Sequence, residues 1–221
     1  MPEGHAVGAS RTFTCDGAAS RPVLAVTGGK GGVGKTTTAL GVAAVLARDG
    51  RRPVVVDADL DLPDLARVAG VPDDGLGRLA DGAPLSAVPT VAGVAVVGSA
   101  DDATLTDLQC VLDRLARQSR PVVVDCPAGV GAPHGLALRA ASEALLVTRP
   151  TRQAVADALR TGTLARRLGA TPRHVALTGT RHVPTGFDRT GLPPTVAVPS
   201  PGRTPPWRGE LSVYEPVSGG P

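Results

Sequence analysis

Two lysines set in a run of glycines carry the chemistry of this 221-residue chain. The stretch Thr27-Gly28-Gly29-Lys30-Gly31-Gly32-Val33-Gly34-Lys35-Thr36-Thr37 follows an apolar run, Val23 to Val26, and precedes a second, Ala39 to Ala47. Gly29 to Thr36 fits the pattern G-x-x-x-x-G-K-[ST] without a mismatch, in the strand–loop–helix setting that gives the pattern meaning. Glycines let the backbone curl so that successive N–H groups face phosphate oxygens. A helix opening near Lys35 adds the positive end of its dipole. Lys35 can reach the outer phosphates as a compact cation, and Thr36 offers a hydroxyl to magnesium, which prefers oxygen ligands. Gly29, Lys30, Gly31, Gly32, Val33, Gly34, Lys35, Thr36 and Thr37 are therefore expected to form a phosphate-binding loop.

Composition points to the same loop. Of 23 basic residues only Lys30 and Lys35 are lysine, and the chain has neither Ile nor Asn. Under such a skew most lysines can drift to arginine, but a planar guanidinium does not replace an ammonium inside a tight phosphate cradle. Gly29 to Gly34 also matches G-x-G-x-x-G, with Asp57 about 20 residues on, as in dinucleotide-binding folds. That pattern calls for neither the Lys-Thr pair that follows nor a second acidic strand end, and both are present.

The elements that must position these groups can be read in order. Residues 1–21, with His5 and Cys15, lack periodicity and read as a disordered leader. Pro53 to Asp57 is a β-branched strand ending in Asp57-Ala58-Asp59-Leu60-Asp61. Carboxylates at the carboxyl end of a parallel strand lie at the ligand edge of an open sheet. Asp57 and Asp59 face either a metal-bound nucleotide or the start of a short helix at Pro63 to Arg67, a capping role that suits Asp61 better. Val71 to Ala92 is turn-rich, with a short helix near Leu76 to Ala80. Val94 to Gly98 is a strand, and Ala103 to Arg117 a helix with Leu105, Leu108, Val111, Leu112 and Leu115 on one face and Cys110 as a packing residue. Pro121 to Asp125 is the next strand. An Asp at such a tip, downstream of a phosphate loop, supports magnesium beside Thr36. His134 falls on the Gly/Pro-rich loop that follows, and Cys126 reads as structural.

Ala144 to Thr148, His174 to Thr178 and Thr195 to Val198 complete the strands, with a helix from Thr151 to Leu168 burying Val155, Leu159, Leu164 and Leu168. The sequence thus predicts an α/β, three-layer sandwich around a mostly parallel sheet of about seven strands. The three cysteines are far apart and odd in number, which argues against a disulfide framework and for a reduced, cytoplasmic setting. A net charge of +3 spread over scattered arginines marks no specific nucleic-acid surface. No apolar run approaches the ~18 residues of a membrane span.

Taken together, Lys30 to Thr37, Val56-Asp57-Ala58-Asp59 and Val124-Asp125-Cys126-Pro127-Ala128-Gly129 resemble the MinD/ParA group of P-loop ATPases with a deviant Walker A motif. The similarity runs from about Val23 to Pro216, giving one ATPase domain over 22–216 and a flexible tail over 217–221. The resemblance implies the P-loop NTPase fold, ATP and Mg2+ as ligands, and an ATP-dependent homodimer that engages a protein partner. It implies that Lys35 contacts the β- and γ-phosphates, that Lys30 reaches across the dimer, and that Asp59 positions the attacking water. Thr36, Asp57 and Asp125 would support the metal. The sequence departs from the family in two places. Gly179-Thr180-Arg181 stands where an Asn often reads adenine, and the chain ends in Glu215 to Pro221 without a basic amphipathic helix.

Three function classes follow: a dimeric positioning switch, a metabolic or cofactor-maturation enzyme on the same fold, and a module that holds nucleotide without hydrolysing it. Paired cysteines for a metal cluster are absent from the sequence, and the presence of Asp59 with both lysines argues against passive binding.

Overall fold

The computed structural model describes residues 23–200, 202 and 204–218. The expected leader, including His5 and Cys15, and residues 219–221 lie outside them. Short Val-rich runs form the strands, as branched side chains suit a pleated surface buried on both sides. They are β1 (Val23–Thr27), β2 (Val54–Asp57), β3 (Thr90–Val91), β4 (Val94–Val97), β5 (Val122–Asp125), β6 (Glu143–Thr148), β7 (Thr171–Thr178) and β8 (Thr195–Val198). Between and after them lie α1 (Lys35–Arg48), α2 (Leu65–Ala69), α3 (Gly75–Ala80), α4 (Leu105–Ala116), α5 (Ala132–Ala140), α6 (Arg152–Arg167) and α7 (Glu215–Ser218).

The strands make one eight-stranded sheet in the order β3-β4-β2-β5-β1-β6-β7-β8. All neighbours are parallel except β3, which pairs antiparallel with β4. This edge strand raises the count above the expected seven. Its turn, Ala92-Gly93, has positive φ at both positions (49° and 82°), as a tight hairpin requires. An Ala in that conformation gives no sequence signal.

Side chains alternate across the sheet. Val54, Val56, Val122 and Val124 pack beneath α3, α4, α5 and the end of α6, whereas Val55, Val123 and Val26 pack against α1 and α2. On α4, Leu108, Val111, Leu112 and Leu115 are buried as expected, but Leu105 is 43% exposed at the first turn and Cys110 is exposed rather than packed. On α6 the buried face is Ala154, Ala158, Thr161, Gly162 and Ala165, and Leu159 turns outward. The helix lies too close to the sheet for large residues there, since a Cβ on Gly162 would come within 3.1 Å of Leu146.

Two 3-10 turns and α7 lay Leu211, Tyr214 and Val217 against α1. The Tyr214 ring fills the space left by Gly41, where a Cβ would meet it at 2.3 Å. The domain boundary expected at Pro216 falls inside α7, whose Val217 is buried.

Candidate functional site

The phosphate loop leaves β1 at the centre of the sheet and enters α1 at Lys35. Gly32 and Gly34 have φ of 70° and 97°, left-handed values that a side chain would strain. Gly28 and Gly29 answer a different need. A Cβ there would fall 2.4 Å from the Val147 carbonyl and 2.3 Å from the Asp157 Cβ. Two side chains from neighbouring strand ends hold the curl in place. The Arg149 guanidinium donates to the Gly32 carbonyl at 2.7 Å, and the Thr178 hydroxyl donates to the Val33 carbonyl at 2.6 Å.

Lys35 is largely buried, and its Nζ donates to the Lys30 carbonyl at 3.4 Å, a long contact that leaves donors to spare. Lys30 behaves differently. Its side chain is 55% exposed, and its Nζ lies 3.7 Å from Asp157 Oδ2 on α6. Asp157 also takes a closer bond from Arg160, at 2.9 Å.

Across the loop, β2 and β5 place Asp57 and Asp125 opposite each other at adjacent strand tips. Both Asp57 oxygens are taken by main chain. Oδ1 accepts the Asp59 N–H and Oδ2 the Leu65 N–H, each at 3.0 Å. Asp57, rather than Asp61, therefore receives the free N–H at the start of α2. Asp59 Oδ1 accepts the Leu62 N–H at 3.1 Å, closing the same loop. Asp125 is the contrast, because its Oδ1 is buried without a hydrogen-bond partner among the described residues. Burial pushes the Asp57 carboxyl up to about 6, against the pull of its main-chain N–H partners. Burial pushes Asp125 up to about 8, helped by the Asp57 charge and opposed by the Thr36 hydroxyl and Lys35.

This donor set fits a metal-bound triphosphate. A buried carboxylate oxygen without a partner is unusual and calls for a cation or water. Cβ atoms built on Gly31 and Gly32 would meet nothing within 4 Å, so the cradle is open where phosphate would lie. Beside it a cleft of about 200 Å³ is lined by Thr37, Arg149, Gly179, Pro199, Ser200 and Tyr214. It continues into a second of about 190 Å³ that includes Arg181 and Glu210. Cys126 is buried, and burial raises its thiol far above the ordinary range, which suits packing and not attack.

Sequence reasoning missed four residues of this site. Arg149 and Thr178 lie just beyond or at the ends of their strands, where only the fold brings them to the loop. Asp157 lies on α6. His134 lies not on a loop but in the first turn of α5, behind Pro133 at a position that favours helix starts. The Pro, followed by Leu136, Ala137 and Leu138, was the available signal. Among the described residues no three His, Cys, Asp or Glu side chains cluster as a protein-only metal site.

The comparisons agree with this geometry. Septum site-determining protein MinD of Synechocystis is 34% identical over 151 residues, 62% of this chain and 57% of that protein. The chain thus spans a little over half the length of this curated relative. The cell division ATPase MinD of Pyrococcus furiosus superposes with a TM-score of 0.70 at 28% identity, covering 81% of this chain and 83% of that one. Cobyrinic acid a,c-diamide synthase of Mycobacterium smegmatis, solved with ADP and magnesium, superposes with a TM-score of 0.64 at 25% identity, covering 83% and 87%. Residues 24–192 match the CobQ/CobB/MinD/ParA nucleotide binding domain, and the chain belongs to that family.

Proposed function

We propose that the protein is an ATP-binding and ATP-hydrolysing dimeric switch of the MinD/ParA type, acting in spatial positioning of a division site, a chromosome or another cargo. One observation carries the reading. A glycine cradle, the Lys35 ammonium and the unpartnered Asp125 oxygen meet at one sheet edge. In this reading the N–H groups of the loop and Lys35 would grip the phosphates, and the Thr36 hydroxyl and Asp125 would hold magnesium, with Asp57 supporting the site beside them. Bound magnesium would supply charge neutralisation at the phosphate oxygens. Asp57 shapes the loop that presents Asp59 to the attacking water. Lys30 leaves Asp157 to bring positive charge to the nucleotide of a second copy, where charge develops during transfer. The base would lie in the cleft beside Gly179 and Ser200, and the preference for adenine follows from the family.

A metabolic or cofactor-maturation enzyme is the second reading, favoured by the likeness to the cobyrinic acid synthase. The half-exposed Lys30 favours the switch, because an outward cation serves a site completed by another subunit. Among the described residues no helix is long and apolar enough to cross a membrane, and we place the protein in the cytoplasm with an unidentified protein partner. Size-exclusion chromatography with and without ATP·Mg tests the reading. Asp59→Ala should run as a stable dimer in ATP. Lys30→Ala should stay monomeric or lose turnover. A wild-type protein that neither changes size nor hydrolyses ATP would refute it.

A further inference from the structure

We propose that His134 is a positioning residue for hydrolysis, fixing the loop after Asp125 against the strand that launches the phosphate loop. The inference rests on the ATP-hydrolysing reading above. The last main-chain tie between β5 and β1 is the Cys126 N–H to the Val26 carbonyl, at 3.0 Å. Beyond it the chain leaves the sheet. Pro127 has no N–H to give, Ala128 to Ala132 are exposed, and Val130 is 84% exposed. Such a segment has little to hold it. His134 is 1% exposed and touches both sides of the gap. Its Nδ1 bonds the Gly129 carbonyl, and its Nε2 lies 2.8 Å from the Thr27 hydroxyl. A carbonyl only accepts, so Nδ1 carries the proton. In the neutral ring Nε2 then accepts from Thr27. Burial keeps the ring neutral by lowering its pKa. Thr27 adjoins Gly28, and Gly129 ends the segment that begins at Asp125. The β1–β5 ladder already fixes Asp125 beside Val26, and the ring adds a tie from the exposed segment beyond it to the base of the phosphate loop. It bonds neither Lys35 nor Asp125, so it governs the alignment of the bound state more than its affinity.

The test separates position from stability. His134→Ala should lower kcat by about tenfold while KM and the Kd for ATP·Mg stay within about twofold. His134→Asn keeps a donor where Nδ1 stands and should recover most of the loss. His134→Gln keeps only the Thr27 side and should not. Thr27→Val, which preserves shape, carries the same test if His134→Ala does not fold. It should lower kcat at unchanged Kd. Nitrogen-15 NMR of the ring should show Nδ1–H and a bare Nε2. Unchanged kcat, equal behaviour of the Asn and Gln variants, KM and Kd moving together with kcat, or a proton on Nε2 would each overturn the proposal. A wild-type protein without turnover would instead refute the hydrolytic reading, and the NMR result would still decide whether the bridge exists.

Discussion

Strands β2 and β5 carry the same five residues up to their tips, Pro-Val-Val-Val-Asp, and lie side by side in register from Val54 opposite Val122 to Asp57 opposite Asp125. Their aspartates nevertheless hold different states. Asp57 is followed by a chain that doubles back into α2 and gives it two N–H donors. Asp125 is followed by Cys126-Pro127, which cannot fold back in the same way, and it keeps a buried oxygen unpartnered. An identical strand thus ends in a carboxylate bonded by main chain on both oxygens in one case and, among the described residues, in one with an unpartnered buried oxygen in the other. The difference is written in the residues after the carboxylate and not in those before it.

The comparison can be broken by substitution. Asp125→Ala should cut ATP turnover by about a hundredfold or more, the scale of losing an electrostatic group at a reacting phosphate, with folding intact. Steady-state hydrolysis corrected for folded fraction checks this. A drop in stability with little loss of turnover would reverse the two roles. Asp57→Ala should instead cost about 2–4 kcal/mol of stability, since one buried and one part-buried N–H lose their acceptor, and urea unfolding would show it. pH acts on both carboxyls at once. Their folded values, about 6 and about 8, lie above the ordinary 3.8. The metal-free folded protein therefore retains protons that the unfolded chain has released. This stabilisation is fully present below about pH 4 and is lost as pH rises through about 6 and then about 8. Urea midpoints should fall across that window, and Asp125→Asn should remove the upper part of the fall. The smallest effect belongs to Asp61, an exposed side chain that makes no hydrogen bond or ion pair among the described residues. Asp61→Ala should change stability by no more than about 0.5 kcal/mol.

Much of this arrangement was legible in the residues. The phosphate loop, the two acidic tips and the β-branched runs are local patterns, and each forms the element its pattern predicts. What escaped depends on the return of distant chain. The Thr178 hydroxyl reaches the loop from 145 residues away, and Arg149 from 117. The periodicity of α6 pointed to its leucines, of which Leu164 and Leu168 pack against the core while Leu159 turns outward, and close packing on the sheet fills the centre of the face with alanines and Gly162. Strand β3 hid behind an Ala-Gly turn, and α5 behind a Gly/Pro-rich segment whose proline opens a helix instead of breaking one.

Magnesium dependence of nucleotide binding tests the central claim most directly. Calorimetric titration of wild type and Asp125→Asn with ATP, with and without Mg2+, should show wild type binding far more tightly with the metal and the variant losing most of that gain. Equal gains in both proteins, or no binding by wild type, would contradict the assignment of Asp125 and the phosphate loop to a single metal–nucleotide site.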